Sequence, residues 1–353
     1  MNPKVSSFIY HQLKNASTYR YHKIHKYTAE KILKGLEKVK GKTNKNLIKL
    51  SDEYVKEVLG WEGFAPWLHV YCAVNNRFIE GWIPDNYFAK VVLPAIDGGY
   101  GKISDLKPLS KHLFRSEVFP DIAYFVNGLF LSGDYSIINE NELTELLFNN
   151  RDIIVFKIDN SMQGRGVFLF DRSSFDLKRI KILGNGVFQF FIEQHPFFSE
   201  LMPTSVATIR ITTYFKQNGV ISVRACFLRI GRSEEQSIRW SSNLMIPVDL
   251  KTGELNSQGY FLSLLATDSH PDTHVVFAKR TIPFFSKCVS TALALHKQMP
   301  YDRCIGWDMI VDKCNNVKVM EWNGYHTDIK VHEAIQGPCF SDLGWENLWK
   351  RSI

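Results

Sequence analysis

The chain has 353 residues, 45% hydrophobic, 13% aromatic and 22% charged. This composition suits a globular protein of two or three compact parts and excludes disordered, collagen-like and repeat architectures. Its formal charge of +7 is unevenly placed: residues 1–49 hold eleven Lys and Arg20 against Glu30 and Glu37, a net of +10, so the rest of the chain nets −3. A near-neutral body argues against a nucleic-acid groove running across it. No apolar run reaches the roughly 18 residues of a membrane span, and the apolar stretch at residues 8–10 is too short for a secretory signal. The six cysteines (72, 226, 288, 304, 314 and 339) include no C-x-x-C pair. They read as reduced structural thiols, so the expected location is cytoplasmic.

In chain order, residues 1–49 read as a basic helix stopped by Gly41. Ser51-Asp52-Glu53 reads as the cap of a second helix over 54–59, closed by Gly60. Residues 61–100, rich in aromatics and broken by Pro66, Pro84 and Pro94, predict short elements packed around tryptophans. A denser pattern follows: a helix over 107–114, a hairpin of 121–125 with 128–131 around Asn127-Gly128, a helix over 140–148, and strands over 152–158, 168–171 and 187–193. Two long strands, 207–215 and 220–230, are joined by Asn218-Gly219. A helix over 282–297 precedes a last hairpin, 304–311 with 317–322. Strand–loop–strand order predicts an α+β fold with antiparallel sheets and argues against a doubly wound one.

Three constellations carry chemistry. In the first, Lys157 ends an apolar strand and Ser161, Gln163, Gly164, Arg165 and Gly166 form the turn after it. Such a loop can fold backbone N–H groups over phosphates while the lysine adds a point charge; a plain glycine-containing hairpin is the alternative. In the second, Asp308 and the pair Glu321 and Asn323 lie on adjacent strands, with Glu321 and Asn323 on one face. Oxygen-bearing side chains among Val, Ile and Met suit Mg²⁺, or a solvated strand face. In the third, Arg210 on a strand of Ile, Thr and Tyr, with Arg229 on its partner strand and Asn243 beyond, suits carboxylate or phosphate binding, or a structural ion pair.

Lys107, Lys157 with its loop, the run 187–194, Thr208-Ile209-Arg210 and Asp308…Glu321-x-Asn323 together resemble an ATP-grasp ligase. More narrowly, Phe191-Ile192-Glu193-Gln194-His195-Pro196, residues 205–213, His270-Pro271-Asp272-Thr273 and Ile305-Gly306-Trp307-Asp308 resemble the sugar-transfer-associated ATP-grasp family, linked with bacterial capsule and O-antigen clusters. The resemblance covers roughly residues 50–340. It implies two α+β subdomains clasping ATP between antiparallel sheets, behind a basic helical extension. The implied divisions are an arm over 1–49, a pre-ATP-grasp region over 50–104, a small lid subdomain over 105–190 and a C-terminal subdomain over 191–353. Two Mg²⁺ ions would sit on Asp308, Glu321 and Asn323. ATP would contact Lys107, Lys157, Ser161, Gln163, Gly164, Arg165, Gly166, Gln189, Phe190, Ile192, Gln194, Asn243 and Met320. Arg210, Lys157 and Arg229 would be the catalytic cations, and Arg210, Tyr325 and His326 would approach the substrate.

The implied activity is an ADP-forming carboxylate–amine ligation through an acyl phosphate, joining an amine or amino acid to a uronic-acid carboxylate in surface polysaccharide synthesis. A phosphotransferase, or a nucleotide-binding module without ligase activity, stays open. The implied partners are a small-molecule or glycan carboxylate and an amine, with no nucleic acid. By its charge, and outside the resemblance, the arm over 1–49 reads as a docking element for an anionic partner such as a membrane surface or the polysaccharide machinery, or as a solvated helix packed on the body. Two departures from the family stand out: Phe190-Phe191 replaces a charged pair, and residues 240–245 lack an Asp-Asn…Gly-Gly run.

Overall fold

Period-two alternation through the middle of the chain builds two antiparallel sheets in the computed structural model, which describes residues 3–161, 165–233, 243–325 and 327–352. The first sheet contains β1 (Asp121–Val126), β2 (Leu129–Ser132), β3 (Ile137–Ile138), β4 (Ile153–Ile158), β5 (Val167–Asp171) and β6 (Gly186–Phe190), in the order β3-β2-β1-β6-β4-β5. The second contains β7 (Thr208–Phe215), β8 (Ile221–Ile230), β9 (Leu244–Pro247), β10 (Gly259–Phe261), β11 (Ala266–Thr267), β12 (Cys304–Val311) and β13 (Val317–Asn323), in the order β11-β10-β9-β8-β7-β12-β13.

Each strand of the first sheet sends alternate side chains to opposite faces. Ile154, Phe156, Phe170 and Phe188 pack on one face with Leu143 and Leu147 of the helix Glu140–Phe148 and Ile180 of the helix Leu177–Leu183. Asn139 caps the former helix through a capping box with Glu142. Under the second sheet, the helix Phe285–His296 packs Cys288, Ala292 and Leu295 into a core with Ile209, Ile211, Leu228, Trp307 and Trp322. The polar groups buried there are linked in series. Trp307 Nε1 donates to Thr213 Oγ1 (2.8 Å), which hydrogen-bonds His296 Nδ1 (2.6 Å), while His296 Nε2 donates to the Asp302 carbonyl (2.9 Å). Burial lowers His296 to about 4, so the ring is neutral and can accept at Nδ1.

The chain divides into two compact units. Both sheets belong to the one formed by residues 96–262 and 266–327, and residues 1–95, 263–265 and 328–353 form the other. That second unit is helical, with Pro3–Lys40, Lys45–Glu57 and Ala65–Asn75 around a core that includes Trp67, Tyr71, Trp82, Tyr87 and Trp345. Lys330 is held there by Asp328 (2.9 Å) and Asp85 (3.9 Å). Among the described residues no helix is long and apolar enough to cross a membrane.

Three expected elements need correction. The second helix starts at Lys45, because the Asn44 side chain accepts from Asn46 N; Ser51 lies inside it and bonds back to the Leu47 carbonyl at 2.9 Å. The aromatic segment contains an 11-residue helix, Ala65–Asn75, which Pro66 opens without breaking. The strand expected to run to Glu193 ends at Phe190.

Two buried carboxyls tie stability to pH. Burial, and then the neighbouring Asp97, raise Asp302 to about 8, and burial raises Asp97 to about 7 despite a hydrogen bond from Arg303 N. Both begin from 3.8, so the folded chain holds protons that the unfolded chain has lost, and stability falls as pH rises through 7–8. The melting temperature is therefore expected to be several degrees lower at pH 8.5 than at pH 6. Asp302→Asn should raise it at pH 8.5 and flatten the profile; an unchanged profile contradicts this account.

Candidate functional site

Register places the site. Across the first sheet, Leu169 of β5, Val155 of β4, Gln189 of β6 and Asp121 of β1 pair in one continuous row. One step along, Val167, Lys157 and Val187 form the next row. These side chains share the face turned away from the phenylalanine core. Of these, Leu169, Val155, Gln189, Val167 and Lys157 line an open cleft with Phe190, Phe191, Ile192, Val206, Thr208, Arg229, Asp308, Met320 and Glu321. A smaller recess shares Gln189, Met320 and Glu321 and adds Lys107, Ser104, Ser110 and Trp322.

The second sheet delivers the carboxylates. Asp308 on β12 pairs with Arg210 on β7 and with Glu321 on β13, and Gly306 pairs with Asn323. Met309 pairs with Val319, so Met320 is the extra residue of a bulge. That bulge turns both Met320 and Glu321 toward the cleft, and the Met320 carbonyl accepts from Lys157 Nζ at 3.0 Å. Gly306 leaves the space the Arg210 side chain occupies: a Cβ there would lie 3.1 Å from an Arg210 terminal nitrogen. Gly166 closes the neck of the loop after Lys157, where a Cβ would stand 2.2 Å from that of Ser161.

Opposite charges meet in pairs. Arg210 Nε and Nη2 donate to the two Asp308 oxygens at 2.5 and 2.8 Å. Lys107 Nζ reaches Glu321 Oε1 at 3.0 Å, while the Lys107 backbone N–H donates to Asp159. Burial pushes Asp308 up, but the Arg210 and Arg229 guanidiniums beside it hold its carboxyl below the usual range. Burial lowers the Lys157 ammonium, with Glu321 opposing. Burial raises Asp121 to about 6 against a hydrogen bond from Gln189 and the charge of Lys157.

The structure thus brings Lys107, Lys157, Arg210, Arg229, Gln189, Phe190, Ile192, Met320, Asp308, Glu321 and Asn323 around the cleft or into direct contact with its lining. Asn323 Nδ2 lies 3.4 Å from Asp308 Oδ2. Other expected residues stand elsewhere. Gln194 lies outside the lining because its amide is fully used on backbone: Nε2 donates to the Met202 and Ser205 carbonyls and Oε1 accepts from Ala207 N. The Ser161 hydroxyl bonds the Ile158 carbonyl, and Arg165 is exposed. Asn243 is buried and Tyr325 lies under Lys102; neither lines the cleft. Gln163, Gly164 and His326 lie outside the described residues. Sequence reasoning missed Asp121, although an acid opening an apolar strand was a visible signal. It also missed the apolar lining by Val155, Val167 and Leu169, which alternation around Lys157 could have supplied.

Among the described residues no three His, Cys, Asp or Glu side chains converge on a point. The donors available are two carboxylates and the Asn323 amide. That is a hard oxygen set which fits Mg²⁺, an ion that keeps few protein ligands and shares phosphate oxygens. The Arg210 and Asp308 side chains are only 5% and 11% exposed. Arg210→Ala would leave a buried carboxylate without its bidentate partner, and it is expected to cost roughly 3 kcal/mol or more of stability in urea unfolding. A loss within the range of a surface ion pair contradicts the assignment.

Residues 181–339 match the model of a family described as sugar-transfer associated ATP-grasp. No curated protein matches the chain. Similar solved structures include the ATP-grasp ligase PsnB complexed with a minimal precursor (11% identity, 73% of this chain and 63% of that one, TM-score 0.42). The L-amino acid ligase from Bacillus licheniformis is another (11% identity, 71% and 49%, TM-score 0.40). A third is the biotin carboxylase domain of Hydrogenobacter thermophilus 2-oxoglutarate carboxylase, in complex with MgADP, ADP and bicarbonate (13% identity, 70% and 45%, TM-score 0.42). The chain spans about half the length of the solved structures it resembles.

Proposed function

We propose that the chain is an ATP- and Mg²⁺-dependent carboxylate–amine ligase that joins an amine or amino acid to a uronic-acid carboxylate in surface polysaccharide synthesis. One observation supports the nucleotide reading above all: a single cleft combines apolar and cationic walls. Val155, Leu169, Phe190, Ile192 and Met320 offer a surface for a planar base, Lys157 and Arg229 line the same cleft with Asp308 and Glu321, and Lys107 reaches Glu321 from the adjoining recess. The family match over residues 181–339 supports a ligase reading over a bare binding module.

The residues then divide the work. Lys157 is held by a neutral carbonyl, so its charge is available to a phosphate without an acid being uncovered. Lys107 sits on Glu321, whose side chain is 32% exposed, so the lysine can pass to a phosphate oxygen at small cost. Arg210 keeps Asp308 ionised and aimed. Mg²⁺ bound on Asp308, Glu321 and Asn323 would neutralise phosphate charge. The substrate carboxylate oxygen attacks the γ-phosphorus and the bond to the β-phosphate oxygen breaks, giving ADP and an acyl phosphate. The amine nitrogen then attacks the acyl carbon, phosphate leaves with the bonding pair, and the nitrogen loses a proton. The protein contributes position and preorganised charge.

Glu321→Gln and Lys157→Ala should each cut ADP formation at least about a hundredfold, measured with amino acids screened against nucleotide-linked uronic acids. Unchanged turnover in either variant removes that residue from the site. Product analysis separates the classes. Amide with ADP and phosphate supports the ligase, a phosphorylated acceptor replaces it with a phosphotransferase, and ATP binding without ADP replaces it with a binding module.

A further inference from the structure

The Gln189 side chain makes one hydrogen bond among the described residues, from Nε2 to Asp121 Oδ1 at 2.8 Å. The other Asp121 oxygen accepts from the Tyr124 hydroxyl at 3.3 Å, and Tyr124 is itself stacked on Tyr135 with ring centroids 4.7 Å apart. Asp121 is buried and lies across from Gln189 in the strand register. An ionised carboxylate only accepts hydrogen bonds, so the Gln189 amide cannot turn over without setting its carbonyl oxygen against another acceptor. The lock therefore fixes which end of the amide is left for the cleft: the NH₂ group is held by Asp121, and the carbonyl Oε1 is presented to the lining that Gln189 shares with Val155, Leu169 and Phe190.

That polarity has a consequence for the base. In the row Leu169–Val155–Gln189–Asp121, Gln189 lies beside Val155, two residues along the strands from the Lys157 row. A purine lying on Val155 and Leu169 would offer its six-position to this side chain. A six-amino group donates and a six-oxo group accepts, and only the first complements a fixed carbonyl oxygen. Without Asp121 the amide could rotate and serve either base.

We propose that Asp121 is a positioning residue for base selection, holding the Gln189 amide in the one orientation that accepts a six-amino purine and rejects a six-oxo one. This rests on the nucleotide reading of the cleft. ATP and ITP are the probes, since they differ at the six-position and in the N1 proton that accompanies it, with affinities measured by calorimetry on the full chain in the presence of Mg²⁺. The wild-type protein should prefer ATP by roughly ten- to a hundredfold, the range set by one mismatched buried hydrogen bond. Asp121→Asn, which can donate as well as accept, should bring the ratio to within about threefold of unity while ATP still binds. Asp121→Ser, smaller and also able to donate, stands in if the first variant does not fold. Tyr124→Phe leaves the lock in place and should keep the wild-type ratio. A wild-type ratio near unity, or a preference retained in both Asp121 variants, overturns the proposal and leaves the nucleotide reading standing. A wild-type protein that binds neither nucleotide overturns both.

Discussion

Everything at this site depends on balancing charges taken out of water. Lys107, Lys157 and Arg210 are all largely enclosed by protein, and each meets a defined partner: a carboxylate a third exposed, a backbone carbonyl and a buried carboxylate. A buried ion without a partner would cost several kcal/mol, so the backbone is shaped to supply them. The bulge at Met320 frees a carbonyl for Lys157 and turns Glu321 toward Lys107. The missing side chain at Gly306 opens the path Arg210 takes to Asp308. Irregularities in β12 and β13 therefore follow from electrostatics, not from a failure of pairing.

The three pairs are not equivalent, and the difference orders what can move. Arg210 and Asp308 exchange two hydrogen bonds in near-complete burial, so separating them is expensive. Lys107 and Glu321 share one contact with the carboxylate a third exposed, a geometry in which partners exchange cheaply. Lys157 gives nothing up by leaving a carbonyl for a phosphate except one hydrogen bond. A ligand bearing phosphates and a divalent ion would then rearrange the Lys107 and Lys157 side of the cleft and leave the Arg210 side as its fixed wall.

Much of this was legible in the sequence because it depends on alternation and on residue type. The hairpins of β1 with β2, β7 with β8 and β12 with β13 follow from Asn-Gly and Asn-Asn turns between β-rich runs. The placing of Asp308 opposite Glu321 follows from that last hairpin. Less was legible where tertiary partners decide. Gln194 looks like a ligand-binding amide, yet its oxygen and nitrogen are both taken by backbone between Met202 and Ala207, which only the folded chain brings near. The helix at Lys45–Glu57 begins six residues before its apparent cap, Ser51, because Asn44 supplies a real one. Asp121 carried a signal, a carboxylate entering an apolar strand, but its use depends on which strand becomes its neighbour.

Strength and discrimination are separated within one sheet face. The row containing Lys157 supplies charge, which attracts any polyphosphate and reads nothing about the group attached to it. The adjacent row containing Gln189 supplies a single oriented dipole, worth little as attraction but costly when mismatched. The two rows are offset by one step of the pleat, so a molecule long enough to span both must satisfy both at once. This is why the body's net charge of −3 is a poor guide to what the cleft holds: the cations that matter are few, fixed by register, and partnered one by one.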